Sequence, residues 1–137
     1  MKGKAIFLVG LPGSGKTTFA KERYPDAVIL DDFGLLKEPL EQLRKLLHVG
    51  NHCVVIDPYL CYSENQVRAK KMLAKWHVAA EWVYFENCPV LCWANVEARA
   101  KQGDCRSVAG FIRQASPSYY IPKGTTALKV YRAPAKP

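Results

Sequence analysis

Residues Gly10 to Thr17 read Gly-Leu-Pro-Gly-Ser-Gly-Lys-Thr and meet the phosphate-loop pattern G-x-x-x-x-G-K-S/T at every fixed position. The stretch also has the context that pattern needs. Ala5-Ile6-Phe7-Leu8-Val9 before it is a short apolar run that predicts a buried strand, and Thr18 to Arg23 after it predicts the first turns of a helix starting near Lys16. Glycines at 10, 13 and 15 let successive N–H groups turn inward on an anion, where a Cβ would block the approach. The helix dipole adds positive character at the same spot. Lys16 is placed to reach the β and γ phosphates and Thr17 to offer its hydroxyl to Mg²⁺, so Gly10 through Thr18 are expected to form a nucleoside-triphosphate site.

With 137 residues, 49% of them apolar and 23% charged, the chain is expected to be one soluble domain, cytoplasmic, with a sizeable core. No apolar run approaches a membrane span, and the predicted first strand begins too early to leave room for a signal peptide. Cys53, Cys61, Cys88, Cys92 and Cys105 are odd in number and lack disulfide-framework spacing, which points to reduced thiols. Cys88 and Cys92 have metal-like spacing, but no second pair or histidine partner follows them. The net charge of +8 is unevenly spread: residues 1–98 carry 12 Lys/Arg against 11 Asp/Glu, and residues 99–137 carry 8 against Asp104 alone. Such a basic segment suits a phosphate clamp or a nucleic-acid footprint, and equally a solvated face.

Along the chain, strands are predicted at Ala27–Leu30, His52–Ile56, Glu81–Phe85 and Ala127–Tyr131. Helices are predicted from Pro39 to Gly50, from a Ser63/Gln66 capping box to about His77, from Pro89 to about Gly103, and after Ser107. Basic residues 68, 70, 71 and 75 read as a solvated face. Strands alternating with helices predict a three-layer αβα fold with a parallel five-stranded sheet and right-handed crossovers. Ligands of such sheets bind outside the carboxyl ends of the strands. Asp31, Asp32 and Asp57 all stand at predicted strand ends and should converge on the phosphate loop, although any one of them also suits an N-cap. Asp57 fits a water-mediated holder of Mg²⁺, and Asp31 or Asp32 lies where an acceptor hydroxyl needs a general base. Arg99, Arg106 and Arg113 flank Gly103-Asp104, which has the form of a closing lid over about residues 99–110. Surface arginines at helix ends are the plainer alternative.

Taken in order, the phosphate loop through Thr18, Leu30-Asp31-Asp32-Phe33, a strand ending in Asp57 and a late arginine-bearing lid resemble the 5′-kinase domain of phage polynucleotide kinases. They are similar also to related small phage kinases that phosphorylate 5-hydroxymethyluracil bases within DNA. The tail Phe111-Ile112-Arg113 and Ser118-Tyr119-Tyr120-Ile121-Pro122 looks like theirs as well. The resemblance implies ATP and Mg²⁺ as cofactors, DNA as partner, Asp31 as general base, and either Arg99 or Arg106 as the lid arginine, with Asp32, Arg113, Tyr119 and Tyr120 on the acceptor side. No Asp-x-Asp-Gly-Thr phosphatase motif accompanies it. Tyr119 and Tyr120 suit base stacking or packing of the sheet edge alike. A guanine-reading Asn-Lys-x-Asp and a Leu-Ser-Gly-Gly signature are both missing. Residues 33–51 leave room for one helix, less than the base-binding insertion of nucleoside-monophosphate kinases. A kinase of a hydroxyl on nucleic acid is therefore the leading expectation, with a small-molecule or nucleoside kinase and a non-kinase NTPase as alternatives.

Overall fold

The computed structural model describes residues 1–31, 37–101 and 109–131. Strands β1 (Ala5–Val9), β2 (Val28–Leu30), β3 (Cys53–Ile56) and β4 (Ala80–Tyr84) form one parallel sheet in the order β2-β3-β1-β4. Every residue of β1 is buried. A central parallel strand is covered on both faces, which is why its sequence reads as an unbroken apolar run with no alternation.

Alternate side chains of the sheet enter two separate cores. Ala5, Phe7, Val9, Cys53 and Val55 face helices α2 (Lys37–His48) and α3 (Ser63–Trp76), where they meet Leu43, Leu47, Ala69 and Leu73. Ile6, Leu8, Val54 and Ile56 face α1 (Lys16–Arg23), where they meet Ala20 and Phe19. Helix α1 on one side of the sheet and α2 with α3 on the other make the three layers. The leucine stripe of α2 accounts for its place, and the helix closes at Gly50 as predicted: Gly50 N–H donates to Leu47 O and Asn51 N–H to Leu46 O. A third core stands at the carboxyl end of the sheet. Here α4 (Pro89–Lys101) and α5 (Ala109–Ala115) bring Cys92, Val96 and Ile112 against Leu11 of the phosphate loop and Cys61.

Three expectations need correction or lie beyond the described residues. The sheet has four strands, not five. The segment Ala127–Tyr131 makes a single parallel bridge, Phe85 to Leu128, with Leu128 N–H on Tyr84 O and Glu86 N–H on Leu128 O, each at 2.8 Å. Beyond Leu128 its N–H groups are taken elsewhere. Val130 donates to the Glu86 carboxylate at 3.1 Å and Tyr131 to Ser14 O at 3.1 Å, so no ladder continues. The capping box at Ser63 is not formed either. Helix α3 begins at Ser63 with Tyr62 as an N-cap that lacks a side-chain bond, and Gln66 points inward. The lid turn Gly103-Asp104 and the Ser107 cap lie outside the described residues.

Gln66 has a stronger demand on it than a cap. Its Nε2 donates to Leu60 O and Tyr120 O, both at 2.9 Å, and its Oε1 accepts from the Tyr84 hydroxyl at 2.7 Å. The residue is 1% exposed, so each of these groups depends on it. Gln66→Ala is expected to lower stability by about 2–4 kcal/mol, from unsatisfied buried partners plus the space vacated, and a fall in the urea midpoint measures it.

Basic residues 68, 70, 71 and 75 of α3 are all exposed, and the Lys70 ammonium lies 5.1 Å from the Trp82 ring centre. Cys53, Cys61 and Cys92 are buried free thiols; burial pushes Cys61 up to about 12 and Cys53 and Cys92 to about 11, so they stay protonated and unreactive. Among the described residues no helix is long and apolar enough to cross a membrane.

Candidate active site

The phosphate loop spans the gap between β1 and α1, at the carboxyl end of the sheet's central strand. Leu11 is its anchor, fully buried against α4 and α5. Two glycines are dictated by closeness and by backbone angle together. Gly13 has φ +85°, and a Cβ there would stand 2.4 Å from Cys92 O of α4; Gly15 has φ +97°, and a Cβ there would stand 2.7 Å from Tyr131 Cβ. Any side chain at either position would meet both a left-handed backbone and a filled space. Pro12 is half-buried, Gly10 and Ser14 are buried, and Thr18 faces solvent.

Lys16 is folded back over the loop it belongs to. Its Nζ donates to Gly10 O at 2.7 Å, to Leu11 O at 2.9 Å and to Ser14 Oγ at 3.5 Å, and the residue is 7% exposed. Burial brings its pKa down to about 8. The nearby Arg99 guanidinium acts in the same direction and the Asp31 carboxylate opposes it. Arg99 is half-buried in the last turn of α4.

Thr17 and Asp31 meet directly. The Thr17 hydroxyl donates to Asp31 Oδ2 at 3.0 Å, across the mouth of the loop. Asp31 follows β2 and Asp57 follows β3, two neighbouring strands, so both carboxylates come out at the same end of the sheet. Asp57 is 1% exposed and caps the short 3-10 turn Pro58–Cys61, with its Oδ1 accepting from Tyr59 N–H at 3.0 Å. One expected alternative for a strand-end aspartate, an N-cap, is thus what Asp57 does in this structure. A hard cation prefers oxygen donors, and the Thr17 hydroxyl and the Asp57 carboxylate are of that kind, so their chemistry fits Mg²⁺.

The remaining predicted residues divide. Asp32 and Arg106 lie outside the described residues. Arg113 is exposed on α5, with its guanidinium 5.9 Å from the Trp93 ring centre on α4, a tie between two helices. Tyr119 is built into the interior. Its hydroxyl donates to Val9 O and Phe85 O, its ring packs on two of the cores, and burial pushes the phenol well above its usual range. Of the two roles open to it, stacking or packing, the contacts are those of packing. Tyr120 is 47% exposed, with its backbone N–H on Cys61 O.

Two features escaped the sequence reading. Tyr59, two residues after Asp57, is 55% exposed and sits edge-on to Phe111 of α5 at 5.1 Å between ring centres. Asn95 of α4 is 7% exposed and donates to Gly13 O at 2.8 Å and to Tyr131 O. A signal for the latter existed: Cys92, Asn95 and Val96 share one helical face, and an amide on an apolar stripe calls for a buried partner.

No protein-family model and no curated protein matches the chain. Solved structures do. The Mycobacterium tuberculosis APS kinase CysC, in complex with AMPPNP and APS, is similar at a TM-score of 0.57 and 22% identity, covering 96% of this chain and 91% of that one. The crystal structure of APE1195 is similar at a TM-score of 0.55 and 19% identity, covering 95% and 86%. At these identities the likeness is one of architecture: the chain shares the parallel α/β fold of these structures.

Proposed function

We propose that this chain is an ATP-dependent phosphotransferase whose acceptor is a hydroxyl on nucleic acid, either a 5-hydroxymethyluracil base in DNA or a polynucleotide 5′-hydroxyl. The observation that carries the kinase reading is the contact at 3.0 Å between Thr17 of the phosphate loop and Asp31 at the end of β2, beside a Lys16 folded over the same loop. In this reading the loop N–H groups and Lys16 hold the triphosphate, and Thr17 with Asp57 holds Mg²⁺, which neutralises phosphate charge when bound. Asp31 takes the proton of the acceptor hydroxyl as that oxygen bonds to the γ-phosphorus. The bond to the β–γ bridging oxygen breaks and ADP leaves. Arg99 adds positive charge over the transferring group, a role for which Arg106 is the competing residue.

Support for a polymeric acceptor is the concentration of 8 Lys/Arg against one acidic residue in positions 99–137. Neutralised phosphates add affinity that weakens with salt. Tyr120, and Tyr59 in place of Tyr119, offer exposed rings for a base to stack on. The second reading, a kinase of a small hydroxyl-bearing molecule, is favoured by one observation. The similar structure of the APS kinase is nearly coextensive with this chain and holds APS, a small molecule.

The test is transfer of label from γ-labelled ATP to a panel of 5′-hydroxyl oligonucleotides, hydroxymethyluracil-containing duplex, nucleosides and sugars. Label on either nucleic acid, with DNA affinity that falls by orders of magnitude between about 50 and 200 mM salt, is the expected result. Label confined to nucleosides or sugars would replace it with the small-molecule reading.

A further inference from the structure

We propose that Asn95 is a positioning residue for the nucleotide, locking the phosphate loop to the Leu128–Tyr131 segment and setting α4 in register with both. The proposal rests on the triphosphate-site reading of the loop. An asparagine amide has two N–H hydrogens, and here both are spent, one on Gly13 O at 2.8 Å and one on Tyr131 O. A second tie closes the triangle, since Tyr131 N–H donates to Ser14 O at 3.1 Å.

The consequence for the loop follows from peptide planarity. In a trans peptide the C=O and the next N–H point in opposite directions. Holding the Gly13 oxygen on Asn95 therefore turns the Ser14 N–H to the far side, where it closes on Leu11 O at 3.1 Å. Holding the Ser14 oxygen on Tyr131 likewise turns the Gly15 N–H away from the Leu128–Tyr131 segment. The Gly13 carbonyl thus fixes the Ser14 N–H in the loop's own turn, and the Ser14 carbonyl sets the direction of the Gly15 N–H, before any ligand arrives. Preorganisation of this kind strengthens binding by removing the cost of ordering donors when the ligand binds.

Asn95 also reaches Arg99 through the helix. Residues four apart on a helix lie on the same face, so the amide that grips Gly13 fixes the rotation of α4 that presents Arg99 to the loop. The lowered pKa of Lys16, to which Arg99 contributes, agrees with that presentation. A leucine would fill the same volume. Only an amide donates to both carbonyls at once.

The experiment compares Asn95→Leu, Asn95→Asp and Tyr131→Pro with the unaltered chain by ATP affinity, steady-state transfer and amide hydrogen exchange of the loop. Asn95→Leu is expected to raise the Kd and KM for ATP about tenfold with a smaller change in kcat, and to speed exchange of the Ser14 and Gly15 amides. Asn95→Asp sets a carboxylate against two carbonyl oxygens, so it should bind ATP more weakly still and recover partly as pH falls and the carboxyl gains a proton to donate. A filler role would show no such pH dependence. Tyr131→Pro removes the N–H on Ser14 together with the tyrosine ring, so Tyr131→Ala is its reference, and measured against that reference and combined with Asn95→Leu it should cost less than the product of the two single effects. Should Asn95→Leu fail to fold, Tyr131→Pro against Tyr131→Ala carries the comparison. Unchanged loop exchange and ATP affinity in a folded variant would overturn the proposal. Absence of ATP binding by the unaltered chain would instead remove the nucleotide reading, because loop exchange is measured without nucleotide.

Discussion

Lys16→Ala should reduce transfer from ATP by at least about a hundredfold, the scale set by removing one preorganised charge-stabilising donor from a closed site, while the thermal midpoint moves little. Stability is expected to survive because two effects oppose each other. The substitution relieves the burial of an ammonium that is 7% exposed, and it takes a donor away from Gly10 O and Leu11 O. Leu11 O keeps a second donor, the Ser14 N–H. Retained turnover in a folded Lys16→Ala chain would remove the triphosphate site itself.

The lowered pKa of Lys16 adds a pH signature with two opposite slopes. Between about 8, its value in the fold, and the ordinary value of 10.5, the unfolded chain holds a proton that the folded chain has released. Stability contributed by this group therefore rises with pH across that window, by up to about 3 kcal/mol, and the burial cost stands in full below it. Nucleotide affinity runs the other way. A triphosphate favours the charged ammonium, so binding above pH 8 takes up a proton and weakens as pH increases. Calorimetry in buffers of differing ionisation enthalpy reads the proton uptake, and Lys16→Met should abolish both slopes.

Asp31→Asn should lower phosphate transfer by roughly 10²–10⁴-fold, the usual worth of a positioned general base, with ATP affinity changed no more than a few-fold. The replacement suits the question because an asparagine oxygen still accepts the Thr17 hydroxyl, whose bond to Asp31 Oδ2 is 3.0 Å, while losing the capacity to take a proton. Single-turnover transfer and equilibrium binding of Mg-ATP have to be measured on the same preparation. Equal losses in both would move Asp31 from the acceptor to the metal, a position that its contact with Thr17 also suits.

Local rules carried the sheet and the loop a long way. Apolar runs, the phosphate-loop pattern, the leucine stripe closed by Gly50 and the start signal at Pro89 place β1, β3, α1, α2 and α4 within a few residues of where they are, because each of these signals is local. The errors arise where a distant partner outbids a local one. Gln66 has capping-box spacing from Ser63, yet the Tyr84 hydroxyl and two loop carbonyls claim its amide. Ala127–Tyr131 has the composition of a strand, but Glu86 and Ser14 take N–H groups that a ladder would use. The tandem tyrosines read alike in sequence, and only the placement of Val9 O and Phe85 O separates the interior Tyr119 from the exposed Tyr120. Within the site, motif spacing marked the loop through Thr18. The Asn95 brace joins residues 13, 95 and 131, and no local pattern spans that distance.

The bond from Tyr131 N–H to Ser14 O has a consequence for the order in which the protein is made. Residues 10–17 need a contact that is synthesised more than a hundred residues after them. At a translation rate of about 5–20 residues per second, the loop emerges many seconds before the segment that completes it. Loop closure over such a separation is a late event in folding. The phosphate loop of a growing chain is therefore a ring of glycines without its clasp until Tyr131 has emerged and docked on Ser14.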